Sequence, residues 1–468
     1  MKGGAKLYAR GFDNRYSGPV ESSYTADPTE TGVCVDISDG AQFFAGVDRV
    51  SGNAFYSGGG VMLVRGADTL CRITAGYAYV GYHNDNSVLH VTDGAQLVST
   101  NESMLICNSA ARRNVSLYVD DGGSATANVV YLGSWSSFGQ DMHMVAGPNG
   151  TIDIRSRLYV AGTNNYVVVS NGTLRLANIT FGFKNTDREL ELKLYGPSAH
   201  LDISSIASLF ASGSGHRFVL DGGAVHETSS SFYFANGSSA TSGAYTSNTV
   251  EIVNGSRLVM GDSFYTRNYA NGTVAANGNT VRVASGGELA CKSFQLACAD
   301  NTVVLSNGTL SCSFSDAFVC SSDQHNKENT LIVPTTGARV ILEGENPLLQ
   351  GTGSSSTAYF RYGAKIIFRP SLNGFSTAAA LMSFGTYSTD GTATLVFEGL
   401  EEVQRNLTHT ATYTLAEARK SAGTVAFTDA QLAAAEGLPS GCTLYRSSDN
   451  KRLLLRVRPD KGYVISIL

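Results

Sequence analysis

The sequence predicts an all-β protein, a single-stranded right-handed parallel β-helix (β-solenoid) of about 13 coils with a capping C-terminal segment. Three observations lead to this prediction. A ten-residue stretch, VVVSNGTLRL at 167–176, returns nearly unchanged as VVLSNGTLSC at 303–312. Its pattern, an alternating apolar run, a glycine turn and a second apolar run, recurs along the chain. The composition, with 51 glycines, 9 prolines and 16% charged residues, favours turns and strands over long helices.

The recurring pattern sets the period of the array. It occurs thirteen times, and neighbouring turn glycines lie 22 to 33 residues apart, with a mean near 27. The 136 residues between the two ten-residue stretches are therefore five units of the repeat. The turn glycines are Gly40, Gly66, Gly94, Gly122, Gly150, Gly172, Gly196, Gly222, Gly255, Gly286, Gly308, Gly337 and Gly363.

Each unit contains three short strands. Residues 87–107 read SVLHVT, DG, AQLVST and NESMLIC, in which the apolar residues alternate with a period of two rather than 3.6. Three such strands cannot bury their apolar faces alone, but they can when units stack through parallel ladders. A sandwich of hairpins also uses short strands, yet it does not predict a turn in one fixed phase. Parallel connections of this kind are expected to be right-handed.

Asx-Gly dipeptides mark the same corner of many units. This indicates a turn with positive φ, which glycine adopts freely and Asn or Asp tolerate. Aspartates that bind calcium in a solenoid would keep a fixed short period, whereas here Asn and Asp interchange, so a structural corner is favoured. The dipeptides are Asp39–Gly40, Asp93–Gly94, Asn171–Gly172, Asn254–Gly255 and Asn307–Gly308.

The two ends of the chain depart from the repeat. We predict an N-terminal cap over residues 1–30, the β-helix over 31–400 and a C-terminal cap over 401–468. In the last segment Thr428 and Gln431 form a capping-box pattern that begins a short helix, which Gly437 ends. A final hairpin follows. A solenoid exposes an open strand edge at each end, and such segments cover it.

Charge and hydropathy exclude two classes of partner. The net charge is −5 and the charged residues are scattered, so no basic stripe indicates nucleic-acid binding. The sequence has no run of about 18 apolar residues, so we expect no transmembrane helix. We predict no cofactor, and the sequence leaves the oligomeric state open.

The repeat unit resembles that of the parallel β-helix passenger-type proteins of bacterial surfaces, a pectin-lyase-like solenoid group that includes autotransporter-associated repeats. The similarity is carried by residues 79–97, 158–176 and 279–289, and by the closing segment from Thr428. It implies an extracellular or cell-surface location. The start of the chain lacks the apolar region of a signal peptide, and no β-barrel translocator follows Leu468, so we do not expect self-export.

The eight cysteines include two pairs at the repeat spacing. Cys291 and Cys298 precede Cys312 and Cys320 by 21 and 22 residues, so we predict that each pair stacks in adjacent coils. Small buried thiols are favoured over a zinc site, because a six- or seven-residue spacing does not suit metal ligands. A disulfide between coils stays possible in geometry, and we predict no metal.

A weak catalytic candidate is the pair Asp120 and Asp121, with Asp141 and His143 one coil later. Enzymes with this fold that cleave polysaccharides gather carboxylates and bases on one outward face. The pair also coincides with the Asx-Gly corner, which explains it without catalysis. We therefore assign no catalytic residue and keep Asp120 and Asp121 only as a fallback.

The linkers between units vary in length and carry aromatic residues. Loops on one edge of a solenoid are common binding surfaces, and Trp135, Tyr265 and Tyr269 are weak candidates for stacking on sugar rings. Sparse charges and variable loops favour a non-catalytic secreted or cell-surface rod, adhesin-like or stalk-like, that presents loops to glycans or proteins. The alternative is a β-helix polysaccharide lyase or hydrolase, or a glycan-cleaving protein like a phage tail spike.

Overall fold

Short parallel strands account for most of the fold in the computed structural model, as the period-two alternation predicts. The chain divides into two compact units, Met1–Ser230 with Ser239–Asn248, and Ser231–Ser238 with Thr249–Leu468. The structure describes residues 1–9, 12–15, 33–47, 53–58, 60–81, 85–107, 113–133, 139–182, 186–203, 206, 209–210, 213–235, 245–268, 278–296, 300–315, 317–321, 323–325, 331–334 and 338–460.

The first unit consists of strands alone within the described residues. They are β1 (Lys6–Ala9), β2 (Phe12–Arg15), β3 (Val33–Ile37), β4 (Gln42–Ala45), β5 (Asn53–Gly58), β6 (Val61–Arg65), β7 (Leu70–Ile73), β8 (Tyr77–Val80), β9 (Val88–Thr92), β10 (Gln96–Ile106), β11 (Ser116–Val119), β12 (Ser124–Leu132), β13 (His143–Ala146), β14 (Thr151–Val160), β15 (Tyr166–Ser170), β16 (Thr173–Phe181), β17 (Glu191–Tyr195), β18 (His200–Ile203), β19 (Gly213–Ser214), β20 (Arg217–Asp221), β21 (Val225–Thr228) and β23 (Tyr245–Thr246).

The second unit adds two short helices near its C-terminal end. Its elements are β22 (Phe232–Ala235), β24 (Thr249–Ile252), β25 (Arg257–Met260), β26 (Phe264–Asn268), β27 (Thr280–Ala284), β28 (Glu288–Cys291), β29 (Phe294–Leu296), β30 (Thr302–Ser306), β31 (Thr309–Cys312), β32 (Phe318–Ser321), β33 (Asp323–His325), β34 (Leu331–Pro334), β35 (Arg339–Gly344), β36 (Leu348–Gly351), β37 (Thr357–Arg361), β38 (Lys365–Pro370), β39 (Met382–Phe384), β40 (Thr386–Thr389), β41 (Thr394–Phe397), α1 (Leu400–Asn406), β42 (Ala411–Ala418), α2 (Asp429–Ala433), β43 (Cys442–Arg446) and β44 (Arg452–Val457).

Each coil contributes one strand to each of three parallel faces, which confirms the predicted β-helix. The first strand of successive coils pairs in the order β3-β6-β9-β11-β13-β15-β17-β20 in one unit and β24-β27-β30-β35-β38-β41 in the other. In the first unit the second and third strands of a coil are continuous in β10, β12, β14 and β16, with a register shift at the bend. In the second unit they are separate strands in two sheets.

Alternation places every other residue of these strands in the core. In the first face Met62, Leu89 and Leu117 occupy one inward column and are almost fully buried. In the third face of the second unit, Phe232, Phe264, Phe294 and Phe318 stack with ring centroids 4.8, 5.0 and 5.8 Å apart. Those spacings follow the distance between parallel strands, so identical side chains form a ladder along the core.

The Asx-Gly corners adopt the positive φ that the sequence predicts. Asp93 and Gly94 have φ of 53° and 78°. At Asn171–Gly172 only Asn171 is left-handed, with φ of 53°. A Cβ on Gly172 would lie 2.3 Å from the Gly147 carbonyl oxygen, so this glycine is required by close approach of the previous coil.

The last predicted turn glycine, Gly363, lies at a different corner. Gly363 falls between β37 and β38, before the first strand of a coil rather than after it. The predicted turn glycine Gly337 lies outside the described residues. The apolar run from Leu331 misled the prediction, because β34 pairs antiparallel with β33 as a hairpin apart from the coils. The first strand of the final coil is β41, which pairs in parallel with β38.

The two termini add different structures to the sheets. In the first unit β1 and β2 pair in parallel with β4 and β5, so part of the predicted N-terminal cap contributes strands. In the second unit Thr428 and Gln431 form the predicted capping box of α2. That helix ends at Ala433, before Gly437, and β43 and β44 form the predicted antiparallel hairpin. Helix α1 was not predicted.

Candidate functional site

The predicted catalytic residues lie on or beside β11 and β13, the first strands of two adjacent coils, and they contact residues of the neighbouring first strands β9 and β15. Asp120 follows β11 directly, and its Oδ1 lies 2.8 Å from Nε2 of His90 in β9. Burial raises the pKa of the Asp120 carboxyl, but hydrogen bonds from His90 and Thr92 and the charge of His90 outweigh it, so the pKa lies below its usual value. An ionised carboxylate held by a buried imidazole is a poor general acid.

Asp121 and Asp141 occupy corners rather than a catalytic pair. Their φ angles are 43° and 58°, and Asp121 begins the turn completed by Gly122. The Asp141 carboxylate accepts a hydrogen bond from Nδ2 of Asn164, which holds the same left-handed position in the next coil. The catalytic hypothesis requires these carboxylates to lie on the same outward face as Asp120.

The register separates Asp120 from Asp141. Ser116 in β11 pairs with His143 in β13, Asp120 lies four positions after Ser116, and Asp141 lies two before His143. Six positions along parallel strands correspond to roughly 20 Å. The structure therefore does not bring the two carboxylates together.

His143 is held against its neighbours in the same outward column. Its ring stacks on Tyr166 with centroids 3.7 Å apart, and its Nδ1 lies 3.3 Å from Oγ of Ser116. Burial lowers the pKa of His143 to about 4, although the Asp141 charge acts to raise it. The imidazole is therefore neutral at neutral pH and packs as an aromatic side chain.

An outward row of charges on the second strands was missed by the sequence analysis. Asp153 in β14 pairs with Arg175 in β16, which pairs with Asp202 in β18. Arg175 and Asp202 are exposed and Asp153 is half-buried. The signal was present in part, because Asp153 and Arg175 each follow their turn glycine by three residues. This row is the arrangement over three adjacent coils that a carbohydrate-active enzyme would need.

Of the three aromatic candidates, only Tyr265 lies within the described residues, while Trp135 and Tyr269 fall outside them. Tyr265 is half-buried on the outward side of β26, and its ring stacks on Tyr233 with centroids 4.7 Å apart and planes 5° apart. One face of the ring is thus covered by the previous coil. The other neighbour of Tyr265 is Gln295 in the next coil, so a sugar ring would have to approach the edge of Tyr265.

The same outward tyrosine stacking occurs in the first unit. Tyr131 and Tyr159 lie in paired positions of β12 and β14, with centroids 4.8 Å apart and planes 10° apart. Tyr56 and Tyr79 repeat the arrangement at 5.0 Å. These ladders follow from parallel register and account for the tyrosines as packing elements.

One of the two predicted cysteine ladders forms. Cys291 and Cys312 are paired in β28 and β31, both side chains are buried, and their sulfur atoms lie 3.9 Å apart as free thiols. The other prediction is wrong, since Cys320 pairs with Leu296 rather than Cys298, which lies outside the described residues. The corner before β32 is longer than the one before β29, which shifts the phase of the third strand.

Buried asparagines at the corner before the first strand were also not singled out. Oδ1 of Asn165 accepts the backbone N–H of Met142, and Oδ1 of Asn301 accepts that of Asn279, each one coil earlier. Asn165, Asn279 and Asn301 are almost fully buried. Each amide satisfies a backbone group at the bend, so this ladder stabilises coil stacking.

No group of three or more His, Cys, Asp and Glu side chains able to hold a metal ion occurs among the described residues. In the same part of the chain, no helix has the length and apolar character needed to cross a membrane. No protein-family model, curated protein sequence or solved structure matches the chain. The fold and the ladders on it therefore define a parallel β-helix protein and supply the basis for its proposed function.

Proposed function

We propose that the protein is a non-catalytic secreted or cell-surface β-helical protein, adhesin-like or stalk-like, that presents its outward faces and loops to glycans or protein partners. The observation that carries this proposal is the engagement of the candidate catalytic groups. Asp120 is bound by His90, Asp141 by Asn164, and His143 by Tyr166 and Ser116. Groups held by neighbours in adjacent coils are explained by stability alone.

The repeat style supports the location in this proposal. Units such as residues 158–176 resemble those of passenger-type β-helix proteins of bacterial surfaces. Strands with regular inward columns leave the corners free to vary in length, and variable corners on a regular scaffold suit binding. Nothing in this role requires a metal, a cofactor or a perturbed catalytic group.

A second candidate function is cleavage of an acidic polysaccharide, and one observation favours it. The outward row Asp153, Arg175 and Asp202 places a cation between two carboxylates on three adjacent coils. Arginine could bind a uronate carboxylate while an aspartate acts as a base. Against this candidate, Arg175 and Asp202 are exposed to water, whereas enzymes strengthen such charges by excluding it.

The decisive experiment combines a glycan array with an assay for cleavage of acidic polysaccharides. We expect glycan or protein binding without turnover, and we expect Asp120→Ala and Asp121→Ala to leave binding unchanged. Turnover that is lost in Asp153→Asn or Arg175→Ala, while those variants stay folded, would replace the non-catalytic proposal with the enzyme. Turnover lost in Asp120→Ala or Asp121→Ala would do the same and restore the fallback site.

A further inference from the structure

The outward face of the C-terminal antiparallel sheet carries arginines in a row. Strand β44 lies between β42 and β43. Leu453, Leu455 and Val457 of β44 are fully buried on one side, so Leu454 and Arg456 point to the other. Arg456 pairs with Thr412 of β42 and Thr443 of β43, and all three residues are exposed.

This sheet is basic in a chain that is acidic overall. Residues 442–458 contain five Lys or Arg and one Asp, whereas the whole chain has a net charge of −5. Two of these arginines are neutralised, because Arg446 lies 2.5 Å from Asp429 and Arg452 lies 3.1 Å from Glu417.

Arg456 and Arg458 differ from those two. Both are exposed, and neither forms an ion pair with another described residue. They stand two positions apart with the buried Val457 between them, so both guanidinium groups leave the sheet on the same side, roughly 7 Å apart at their Cα atoms.

An open cleft lies on the other side of β43, where Leu444 and Arg446 pair with the buried Leu455 and Leu453. Its volume is about 520 Å³, within the usual range for ligand sites, and it lies between α2 and the edge strand β43. Tyr445 borders the cleft at the edge of the sheet, but it lies directly opposite Leu454, so alternation places its side chain on the outward face with Thr443. The remaining lining residues are Asp429, Leu432, Ala433, Leu444, Arg446, Ser447, Ser448 and Asn450.

We propose that this surface, made of Thr412, Thr443, Tyr445, Arg456 and Arg458, binds an acidic polysaccharide. The proposal rests on the glycan-binding role proposed above and identifies its ligand class and place. The arginines bind carboxylate groups of uronic-acid residues in bidentate fashion, and the threonine hydroxyls serve sugar hydroxyls. Tyr445 offers an aromatic ring on the same face, two positions along β43 from Thr443. An acidic peptide could bind the two arginines, but it carries no sugar hydroxyl groups or sugar rings to contact the threonine hydroxyls and the Tyr445 ring.

The test measures binding of the full chain to polygalacturonate by calorimetry, with neutral galactan, dextran sulfate and poly-glutamate as comparison polymers. We expect polygalacturonate to bind, galactan to bind far more weakly, and the affinity to fall with added salt. The double variant Arg456→Ala/Arg458→Ala should lose about tenfold or more in affinity, because it removes two charge-assisted contacts. Arg257→Ala, which removes an arginine of β25 that is paired with Glu288, serves as the control for loss of a cation elsewhere and should bind like the wild type.

Three results would overturn the inference. One is equal affinity of the double variant and Arg257→Ala, which would leave glycan binding intact but place it elsewhere. Another is that poly-glutamate or dextran sulfate, compared at equal charge, binds as tightly as polygalacturonate. Binding would then depend on charge alone and not on the sugar. The third is no binding of polygalacturonate, and the glycan array then decides separately whether neutral glycans or proteins are the partners. Arg456→Lys/Arg458→Lys keeps the charge and should bind between the wild type and the alanine variant.

Discussion

Cys291 and Cys312 face each other from neighbouring strands with their sulfur atoms 3.9 Å apart and both side chains buried. Burial, followed by contact with Cys291, raises the pKa of the Cys312 thiol, so the reactive thiolate is disfavoured. In the folded protein we expect both residues to resist alkylation at mildly alkaline pH. The half-buried Cys442, whose pKa burial raises to about 11, should be modified before them.

Mass spectrometry of peptides after timed alkylation checks this order. Labelling in denaturant provides the control, because every thiol is then accessible and should react at a similar rate. Rapid modification of Cys291 and Cys312 in the native protein would contradict the buried ladder. Chelators should leave the unfolding temperature unchanged, since the thiols pack as apolar groups.

The phenylalanine ladder should dominate the stability of the second unit. Phe294 is fully buried between Phe264 and Phe318, so Phe294→Ala removes two ring contacts and leaves a cavity. We expect a loss of about 3–5 kcal/mol in the free energy of unfolding. Urea denaturation measures it, with the outward Tyr265→Ala as the matched control. If Tyr265→Ala lost as much unfolding free energy as Phe294→Ala, the buried phenylalanine ladder would not dominate the stability.

The asparagine ladder makes a second prediction about stacking. Asn301→Ala leaves the backbone N–H of the buried Asn279 without its 2.9 Å partner. An unsatisfied buried donor costs about 1–3 kcal/mol, and we expect that loss of unfolding free energy. The neighbouring Thr302→Ala, which shortens a half-buried side chain whose hydroxyl donates only to the exposed Asp300 carbonyl, is the control and should change little. Equal losses in the two variants would mean that the amide contributes nothing beyond its volume.

The stability of the protein should decrease as the pH is lowered, because His226 is buried. This side chain is buried in the core against Phe218, and burial lowers its pKa to about 4. An unfolded histidine titrates near pH 6.5, so below that pH the unfolded state takes up a proton that the folded state rejects. The stability present above about pH 6.5 is therefore lost as the pH falls toward about 4, by roughly 2 kcal/mol at pH 5.

Urea denaturation at neutral pH and at about pH 5 checks the size of this term. His226→Gln keeps a similar volume without a titrating ring and should lose less stability on acidification than the wild type. His409→Gln makes the same substitution at an exposed position and serves as the control. If His226→Gln and the wild type lost stability equally, His226 would not carry the effect.

The period of the sequence predicted the fold because the first strand and the following corner keep one phase over most coils. Contacts within that phase were predictable, as with Cys291 and Cys312, which pair at 21 residues. Contacts beyond a corner of variable length were not. Phe294 and Phe318 pair at 24 residues, so the third strand is shifted and Cys320 meets Leu296.

The same limit applies to the candidate site. Asp120 was visible as a corner residue, but its partner His90 lies 30 residues earlier, and only the register of β9 and β11 brings them together. Asp202 escaped notice for a similar reason, since a longer corner separates it from Gly196 than separates Arg175 from Gly172. Burial of His143 and His226 in the stack cannot be read from their neighbours in sequence.

The covered edges at the C-terminal end of the second unit have a consequence for end-to-end polymerisation. A further coil stacking there would need three open edges in register, one for each of its strands. The edge of β41 already binds backbone groups of Glu436, and Tyr387 of β40 donates its N–H to Thr424. In the sheet that contains β39, β43 offers an edge only after the antiparallel insertion of β44. An incoming coil would therefore find one open strand edge out of the three that it needs, so fibre growth from this end is disfavoured.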